Sequence, residues 1–224
     1  MKRTPLAERT LPGYTRGEEI FNMVSHIVGG ALGIAATALC VIVAAIHGNV
    51  MGVISGAIFG ATMILLYTMS SIYHGLRPHL MAKKVFQVID HCTVYVLIAG
   101  SYTPFALVSL RNQNTALGWT IFGLIWGVAI VGIVFTAIDL KTFRIPSMVC
   151  YLTMGWLVLF AVKPIVRAIG LGGCILLVAG GLAYTAGAVL YLNGKRRRYI
   201  HSLFHLFVLA GSLLHFLCIL FYVM

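Results

Sequence analysis

Long apolar runs follow one another along almost the whole chain, and they limit its fold more than any other feature. Each run approaches the roughly 20 apolar residues that cross a bilayer as a helix. Lipid offers no partner for exposed backbone groups, so helices are expected, and the alternation of a barrel strand is missing from these runs. We therefore predict an all-α integral membrane protein, a seven-helix transmembrane bundle. The predicted spans are about Met23–Ile46, Met51–Tyr73, Phe86–Val108, Leu117–Ile138, Ser147–Val162, Ile169–Leu192 and His201–Val223.

The composition supports this interpretation. Of the 224 residues, 60% are hydrophobic and 9% are charged, whereas a soluble domain carries about a quarter charged residues. Disorder is excluded as well, because it requires low hydrophobicity. We predict a short basic cytoplasmic tail at residues 1–19 and a single membrane domain at residues 20–224. The five cysteines include no CxxC pair and are expected to pack as small hydrophobic groups.

Basic residues predict the orientation of the bundle. With the predicted spans, thirteen Lys and Arg fall on the side of the N-terminus and three on the opposite side. By the positive-inside rule, the N-terminus is cytoplasmic and the C-terminus lies outside. The formal net charge of +11 suits anionic lipid headgroups, and no nucleic-acid partner is expected.

Four ionisable residues interrupt the spans at one predicted depth, near the cytoplasmic side. His74 ends the second span, Asp90 lies in the opening turns of the third, and His201 and His205 open the seventh. Because His201 and His205 are four residues apart, their imidazoles project from one helix face. Three imidazoles and a carboxylate predict a metal site, with zinc preferred and manganese, iron or nickel also admitted. The alternative is a set of histidines that form only hydrogen bonds between helices.

Other polar residues have weaker interpretations. Asn22, Ser25 and His26 near the start of the first span are candidates for supporting the ligands or contacting a substrate, with helix packing an equal alternative for His26. His215 lies about 15 Å along the helix from His205, too far to share a metal, and is expected to make a buried polar contact. Two further expectations concern acidic residues: that Asp139 pairs with Lys141, and that Glu18 and Glu19 are solvated.

Glycines and a proline predict how the helices pack. Gly52, Gly56 and Gly60 form a small-residue ridge on the second span, and Gly123 and Gly127 form another on the fourth. Such ridges let helices approach closely in lipid, and packing within one chain is favoured over a dimer contact. Pro104 is expected to kink or break the third span. The oligomeric state stays open.

Several of these motifs, in this order, resemble a known family. They are the segment from Glu18 to His26, the segment from Ser70 to His74, the pair Asp90-His91 followed by residues 99–104, and His201 and His205 continuing to Gly211, Ser212 and His215. The chain is similar over about residues 18–224 to the hemolysin III family, the bacterial branch of the progestin and adipoQ receptor superfamily.

The resemblance implies seven helices, a cytoplasmic N-terminus and a location in the bacterial inner membrane. It also implies one zinc ion per chain, held by His74, Asp90, His201 and His205, with Asp90 bound directly or through water. A Ser matching Ser70 borders the site in zinc-bearing relatives. The long N-terminal region of the animal receptors is missing from this sequence, so receptor signalling is not implied.

The leading functional hypothesis is zinc-dependent hydrolysis of a lipid amide or ester, similar to the ceramidase-like activity attributed to relatives. A catalytic zinc ion activates water and polarises a carbonyl. Asp90 would act as the general base and Ser70 would donate a hydrogen bond to the oxyanion. The alternative is a non-enzymatic protein in which zinc stabilises the bundle and the protein senses membrane lipid state. A pore-forming role, suggested by the family name, is a lesser alternative. In each of the first two hypotheses the partner is a membrane lipid.

Overall fold

The computed structural model describes residues 4–193 and 197–224, and these residues form helices and connecting turns without a β-strand. The α-helices are α1 (Arg16–Ile46), α2 (Val50–Gly75), α3 (Met81–Pro104), α4 (Arg111–Gln113), α5 (Thr115–Ile138), α6 (Arg144–Gly155), α7 (Val162–Asn193) and α8 (Ile200–Tyr222). Six stretches of this described part are long and apolar enough to cross a membrane. The protein is therefore an all-helical, multi-pass membrane protein.

Polar caps explain why some helices begin before the predicted spans. The Thr15 side chain accepts a hydrogen bond from the Glu18 backbone N–H, and a Glu18 side-chain oxygen accepts one from the Thr15 N–H. This reciprocal cap satisfies N–H groups that the first helical turn leaves without partners. It places the start of α1 at Arg16, seven residues before Met23. Asn49 and Asn114 cap α2 and α5 in the simpler way, each accepting a bond from the backbone three residues later.

Pro104 changes the helix without ending it. The chain passes from α3 into a π-helical segment, Phe105–Leu110, and then into α4. A proline has no N–H for the bond to the preceding turn, and a wider helical turn accommodates that loss. The Thr103 hydroxyl also donates to the Ala99 carbonyl, 2.9 Å away, in the turn that precedes the proline.

The two glycine ridges have different surroundings. A Cβ atom placed on Gly60 would lie 2.7 Å from the Thr37 Cα, and one on Gly56 would lie 3.0 Å from the Cys40 Cβ. The α2 ridge therefore packs against α1 at a distance that only glycine permits. Gly123 and Gly127 on α5 have nothing within 4 Å of such a Cβ among the described residues.

Hydrogen bonds show how the stretch Arg144–Leu192 runs beside α3. The Tyr151 hydroxyl donates to the His91 carbonyl near the start of α3, and the Tyr102 hydroxyl donates to the Gly155 carbonyl farther along it. Beyond the far end of α3, the Gln113 side chain donates to the Pro164 carbonyl. Tyr191 then contacts His91 again, with its hydroxyl 3.1 Å from Nε2. The stretch thus follows α3 to its far end and returns to where it began.

Candidate metal centre

Three buried histidines meet at the end of the bundle where α3 begins. His74 lies in the last turn of α2, and His201 and His205 lie in the first two turns of α8. One ring nitrogen from each comes within 4.8 Å of the others, so the group can hold a metal ion. The Nε2 atoms of His201 and His205 are 3.0 Å apart, close to the roughly 3.3 Å between two nitrogens bound to one tetrahedral zinc ion.

The hydrogen bonds of His74 make one of its nitrogens available as a ligand. Its Nδ1 lies 2.7 Å from Oε2 of Glu19, a contact that requires the proton to be on Nδ1. Its Nε2 is buried and has no hydrogen-bond partner among the described residues. A buried polar atom without a partner is costly, and a bound cation would remove that cost. The donor set, with nitrogen ligands and no thiolate, fits zinc and also admits manganese, iron or nickel.

His26 reaches the group from α1. Its Nε2 lies 2.5 Å from Nδ1 of His205, and its own Nδ1 is buried without a partner in the described structure. The side chain of Asn22, fully buried, places its Nδ2 3.5 Å from Nδ1 of His74. Ser25 instead donates to the Asn22 carbonyl, 2.9 Å away. Of these three candidates, His26 and Asn22 contact the histidine group and Ser25 bonds to the backbone of its own helix.

Asp90 and Ser70 lie at the cavity beside the histidines. Asp90 is not in the group of mutually close ligand atoms that the described residues form. Its Oδ2 is 3.7 Å from Nδ1 of the neighbouring His91. Ser70 is 1% exposed, and its Oγ has no hydrogen-bond partner among the described residues. Both residues line a cavity that His26, His201 and His205 also line. Asp90 as a metal ligand and Ser70 as a catalytic group remain predictions.

The cavity extends from the histidines into the interior of the bundle. It has a volume of about 170 Å³, and side chains from α2, α3, α6, α7 and α8 line it with a mostly apolar surface that includes hydroxyl groups and histidines. Its deep end reaches Trp156 and His215. The Nε2 atom of His215 is 3.2 Å from the Leu177 carbonyl oxygen, and the His215 ring packs edge-on against the Tyr184 ring. The structure thus places His215 at a buried polar contact, separate from the three-histidine group.

Two interpretations of acidic residues are wrong. Glu18 and Glu19 are not simply solvated: Glu18 is 6% exposed and caps α1, and Glu19 contacts His74. Asp139 does not contact Lys141 by an ion pair in the described structure. Its Oδ1 accepts the backbone N–H of Lys141 at 3.0 Å, and its Oδ2 accepts the backbone N–H of Thr4 at 2.8 Å. Burial of these carboxylates is possible because backbone and side-chain donors replace the lost water.

Sequence reasoning missed Lys83 and Tyr14. Lys83 precedes the predicted third span, which begins at Phe86, but in the structure it lies in the first turn of α3, is 1% exposed, and is 2.7 Å from Oε1 of Glu19. Tyr14 precedes α1 and stacks on the His201 ring, with ring centres 4.7 Å apart and planes 15° from parallel. Burial raises the pKa of the Tyr14 hydroxyl far above its usual value, so this group stays protonated. The i, i+3 and i+7 spacing of Glu19, Asn22 and His26 places these three residues on one face of α1. It does not indicate Lys83 or Tyr14.

Comparison with known proteins places this arrangement in a family. The model of the family described as "Haemolysin-III related" matches residues 14–216. The chain is 41% identical to "Hemolysin-3" of Bacillus cereus over 207 residues, covering 92% of each protein. It is 40% identical to "Hemolysin-3 homolog" of Bacillus subtilis over 209 residues, covering 93% of this chain and 96% of the relative. It is also 26% identical to the human "Monocyte to macrophage differentiation factor" over 171 residues, or 74% and 69% of the two chains.

Proposed function

The chain belongs to the haemolysin-III related family, and on that premise we propose that it is a metal-dependent membrane hydrolase that cleaves an amide or ester bond of a lipid. The observation that carries the proposal is the position of the three-histidine group. His201 and His205 line a cavity whose surface is mostly apolar, so a metal site and a space for a hydrocarbon chain adjoin each other. Zinc is the proposed ion, one per chain.

The proposal includes seven spans in the bacterial inner membrane with a cytoplasmic N-terminus. Support for seven comes from the 49-residue stretch Arg144–Leu192. A straight helix of that length would extend about 70 Å, far beyond the roughly 30 Å hydrocarbon core. Its hydrogen bonds run along α3 and back, as two passes would. The distribution of basic residues supports the cytoplasmic N-terminus and therefore a site near the inner leaflet.

The proposed chemistry assigns separate tasks to the residues around the cavity. A bound zinc ion supplies Lewis acidity towards water and towards a carbonyl. Asp90 would accept the proton of the attacking water as the general base and return it to the leaving amine or alkoxide as the C–N or C–O bond breaks. The Ser70 hydroxyl, which has no partner in the described structure, donates a hydrogen bond to the carbonyl oxygen as it gains negative charge. The apolar lining holds the acyl chain and excludes bulk water from the reacting bond.

A second candidate is a non-enzymatic protein in which the metal joins α2 and α8 through the three histidines and the bundle responds to membrane lipid state. The stacking of Tyr14 on His201 favours this candidate, because the ring covers part of the group on the side of the N-terminal segment. A structural zinc site has a closed ligand set, whereas a catalytic one keeps an open position. The cavity beside the histidines is the observation that favours catalysis.

Elemental analysis and lipid hydrolysis test the proposal together. Protein purified in detergent without chelators is compared with the double variant His201→Ala/His205→Ala. We expect about one zinc per chain in the parent and none in the variant, and hydrolysis of a fluorescent long-chain amide or ester by the parent only. Metal without hydrolysis across amide and ester probes supports the non-enzymatic candidate. No metal in the parent contradicts both functions.

A further inference from the structure

A chain of polar contacts links three helices behind His74. Glu19 on α1 places Oε2 2.7 Å from Nδ1 of His74 on α2 and Oε1 2.7 Å from Nζ of Lys83 on α3. The His74 side chain is 0% exposed, Lys83 1%, and Glu19 14%. Charged residues are rarely buried this deeply unless they are paired. The arrangement needs a reason beyond the connection of helices, which apolar packing provides at lower cost.

The ammonium group of Lys83 has all three of its donors satisfied. Besides Glu19, it donates to the Tyr73 carbonyl at 3.0 Å and to the Leu76 carbonyl at 2.9 Å. Both carbonyls belong to the last turn of α2 and the residue that follows, beside His74. Lys83 therefore fixes Glu19 and the end of α2 in one geometry, and its positive charge balances the carboxylate.

We propose that Glu19 is a positioning residue for the metal ligand His74 and that Lys83 holds Glu19 in place. By accepting a hydrogen bond from the Nδ1–H group, Glu19 selects the tautomer with a free electron pair on Nε2 and orients the ring towards His201 and His205. In other metal sites, a carboxylate that accepts a hydrogen bond from a metal-bound imidazole fixes the tautomer and the orientation of the ring, and its loss lowers metal affinity. Because Lys83 neutralises Glu19, the imidazole gains an orienting acceptor without an added net charge beside the ion. This inference rests on the proposed metal site.

Metal affinity of the detergent-purified protein tests the inference. Parent and variants are stripped of metal and titrated with Zn²⁺ against a chromophoric chelator, and with Co²⁺ to record the visible spectrum of the bound ion. For Glu19→Gln we expect an affinity for Zn²⁺ about 10- to 100-fold lower and an altered Co²⁺ spectrum, since the geometry of one ligand is released. Glu18→Gln is the matched control, because Glu18 is the adjacent buried carboxylate and bonds to Thr15 and Tyr199 instead. It should bind both ions as the parent does.

A double variant separates positioning from a merely structural ion pair. Lys83→Met alone leaves the Glu19 carboxylate without its cation and is expected to lower the melting temperature. Lys84→Met, at a more exposed lysine, is the matched control and should leave the melting temperature nearly unchanged. Glu19→Leu/Lys83→Met removes both charges and also removes any side-chain oxygen that could accept a hydrogen bond from Nδ1 of His74. We expect it to melt near the metal-free parent but to keep the weakened metal affinity.

Two results would overturn the inference: parent-like affinity and Co²⁺ spectrum in Glu19→Gln, or parent-like affinity in the stable double variant. A parent that binds neither ion would instead reject the proposed function itself.

Discussion

The Nε2 atom of His26 lies 2.5 Å from the Nδ1 atom of His205, and this contact joins α1 to α8. His26 therefore contacts one ring nitrogen of His205, Nδ1, and leaves the other free. That other nitrogen, Nε2, lies 3.0 Å from Nε2 of His201. His205 is therefore directed to bind through Nε2, as His74 is. The two candidate ligands are each oriented by a residue of α1, one by Glu19 and the other by His26.

Replacement of His26 by Ala should weaken metal binding without changing the stoichiometry. The three candidate ligands remain, but His205 loses the group that fixes its ring, so we expect an affinity for Zn²⁺ about 10- to 100-fold lower. Competition with a chelator measures the affinity, and elemental analysis at saturating Zn²⁺ measures the stoichiometry. His47→Ala is the control, because His47 is exposed and its ring contacts the Met224 carbonyl, away from the histidine group. Saturation below one zinc per chain would indicate that His26 is itself an essential ligand.

Ser70→Ala should affect hydrolysis and spare both metal and stability. The Ser70 Oγ makes no hydrogen bond in the described structure, so its removal leaves no protein group without a partner. If Ser70 stabilises the oxyanion, the rate constant falls about 10²- to 10³-fold. The rate with a fluorescent lipid amide or ester, the zinc content and the melting temperature are measured beside Ser71→Ala, the neighbouring serine on another face. Loss of zinc from Ser70→Ala would make Ser70 a partner of the ligands instead.

Asp139 anchors the segment that precedes α1, and its charge should control that anchoring. Hydrogen bonds from the side chain and backbone of Thr4, and from the N–H groups of Thr142 and Lys141, hold the pKa of Asp139 well below its usual value. A lowered folded-state pKa stabilises the contact above the ordinary carboxyl pKa of about 3.9, and the stabilisation is lost as the pH falls through the folded value. Hydrogen exchange of residues 4–15, corrected for intrinsic rates, should thus show constant protection between pH 8 and 5.

Asp139→Asn should release the segment at neutral pH. The asparagine amide keeps one oxygen that accepts from the N–H groups of Lys141 and Thr142, but it turns its own NH₂ group towards the Thr4 N–H. The hydrogen bond between Thr4 and a charged carboxylate, worth roughly 1.5–3 kcal/mol, is therefore lost. We expect trypsin to cut after Arg9 about tenfold faster, because Arg9 is buried through bonds to the Thr4 and Ile138 carbonyls. Glu8→Gln, at an exposed residue of the same segment, controls for the change in charge. Equal cleavage of all three proteins would show that Asp139 does not hold the segment.

Much of this arrangement could be predicted because membrane helices impose simple periodicities. Apolar runs of about 20 residues identified helices, and the i,i+4 spacing of His201 and His205 placed both rings on one face. His74 was then placed beside them by depth alone. These predictions needed no knowledge of which helices are neighbours.

Residues outside the spans and pairings between helices could not be predicted in that way. Glu19 and Lys83 look like solvated charges in the sequence, because their burial depends on the position of α3 beside α1 and α2. Tyr14 lies on a segment without helical periodicity, so nothing local indicates that it returns to His201. The side-chain direction of Asp90 also depends on the rotation of α3, which a depth argument does not determine.

The glycines of α2 and α5 provide the last prediction, because they are similar in sequence and different in packing. A Cβ on Gly60 would lie 2.7 Å from the Thr37 Cα, a backbone atom that cannot move without a shift of α1. Gly60→Ala should therefore cost about 1–3 kcal/mol, the usual cost of overpacking, and lower the melting temperature by several degrees.

Gly127→Ala is the matched control, since a Cβ there meets nothing within 4 Å in the described structure. Alanine is favoured over glycine inside a helix by about 0.5–1 kcal/mol, so this variant should melt at the parent temperature or slightly above it. Thermal unfolding in one detergent, at one protein concentration and with metal removed, compares the two variants directly. A fall in melting temperature for Gly127→Ala equal to that of Gly60→Ala would mean that α5 also packs against another helix through its glycines, as a second copy of the chain would allow.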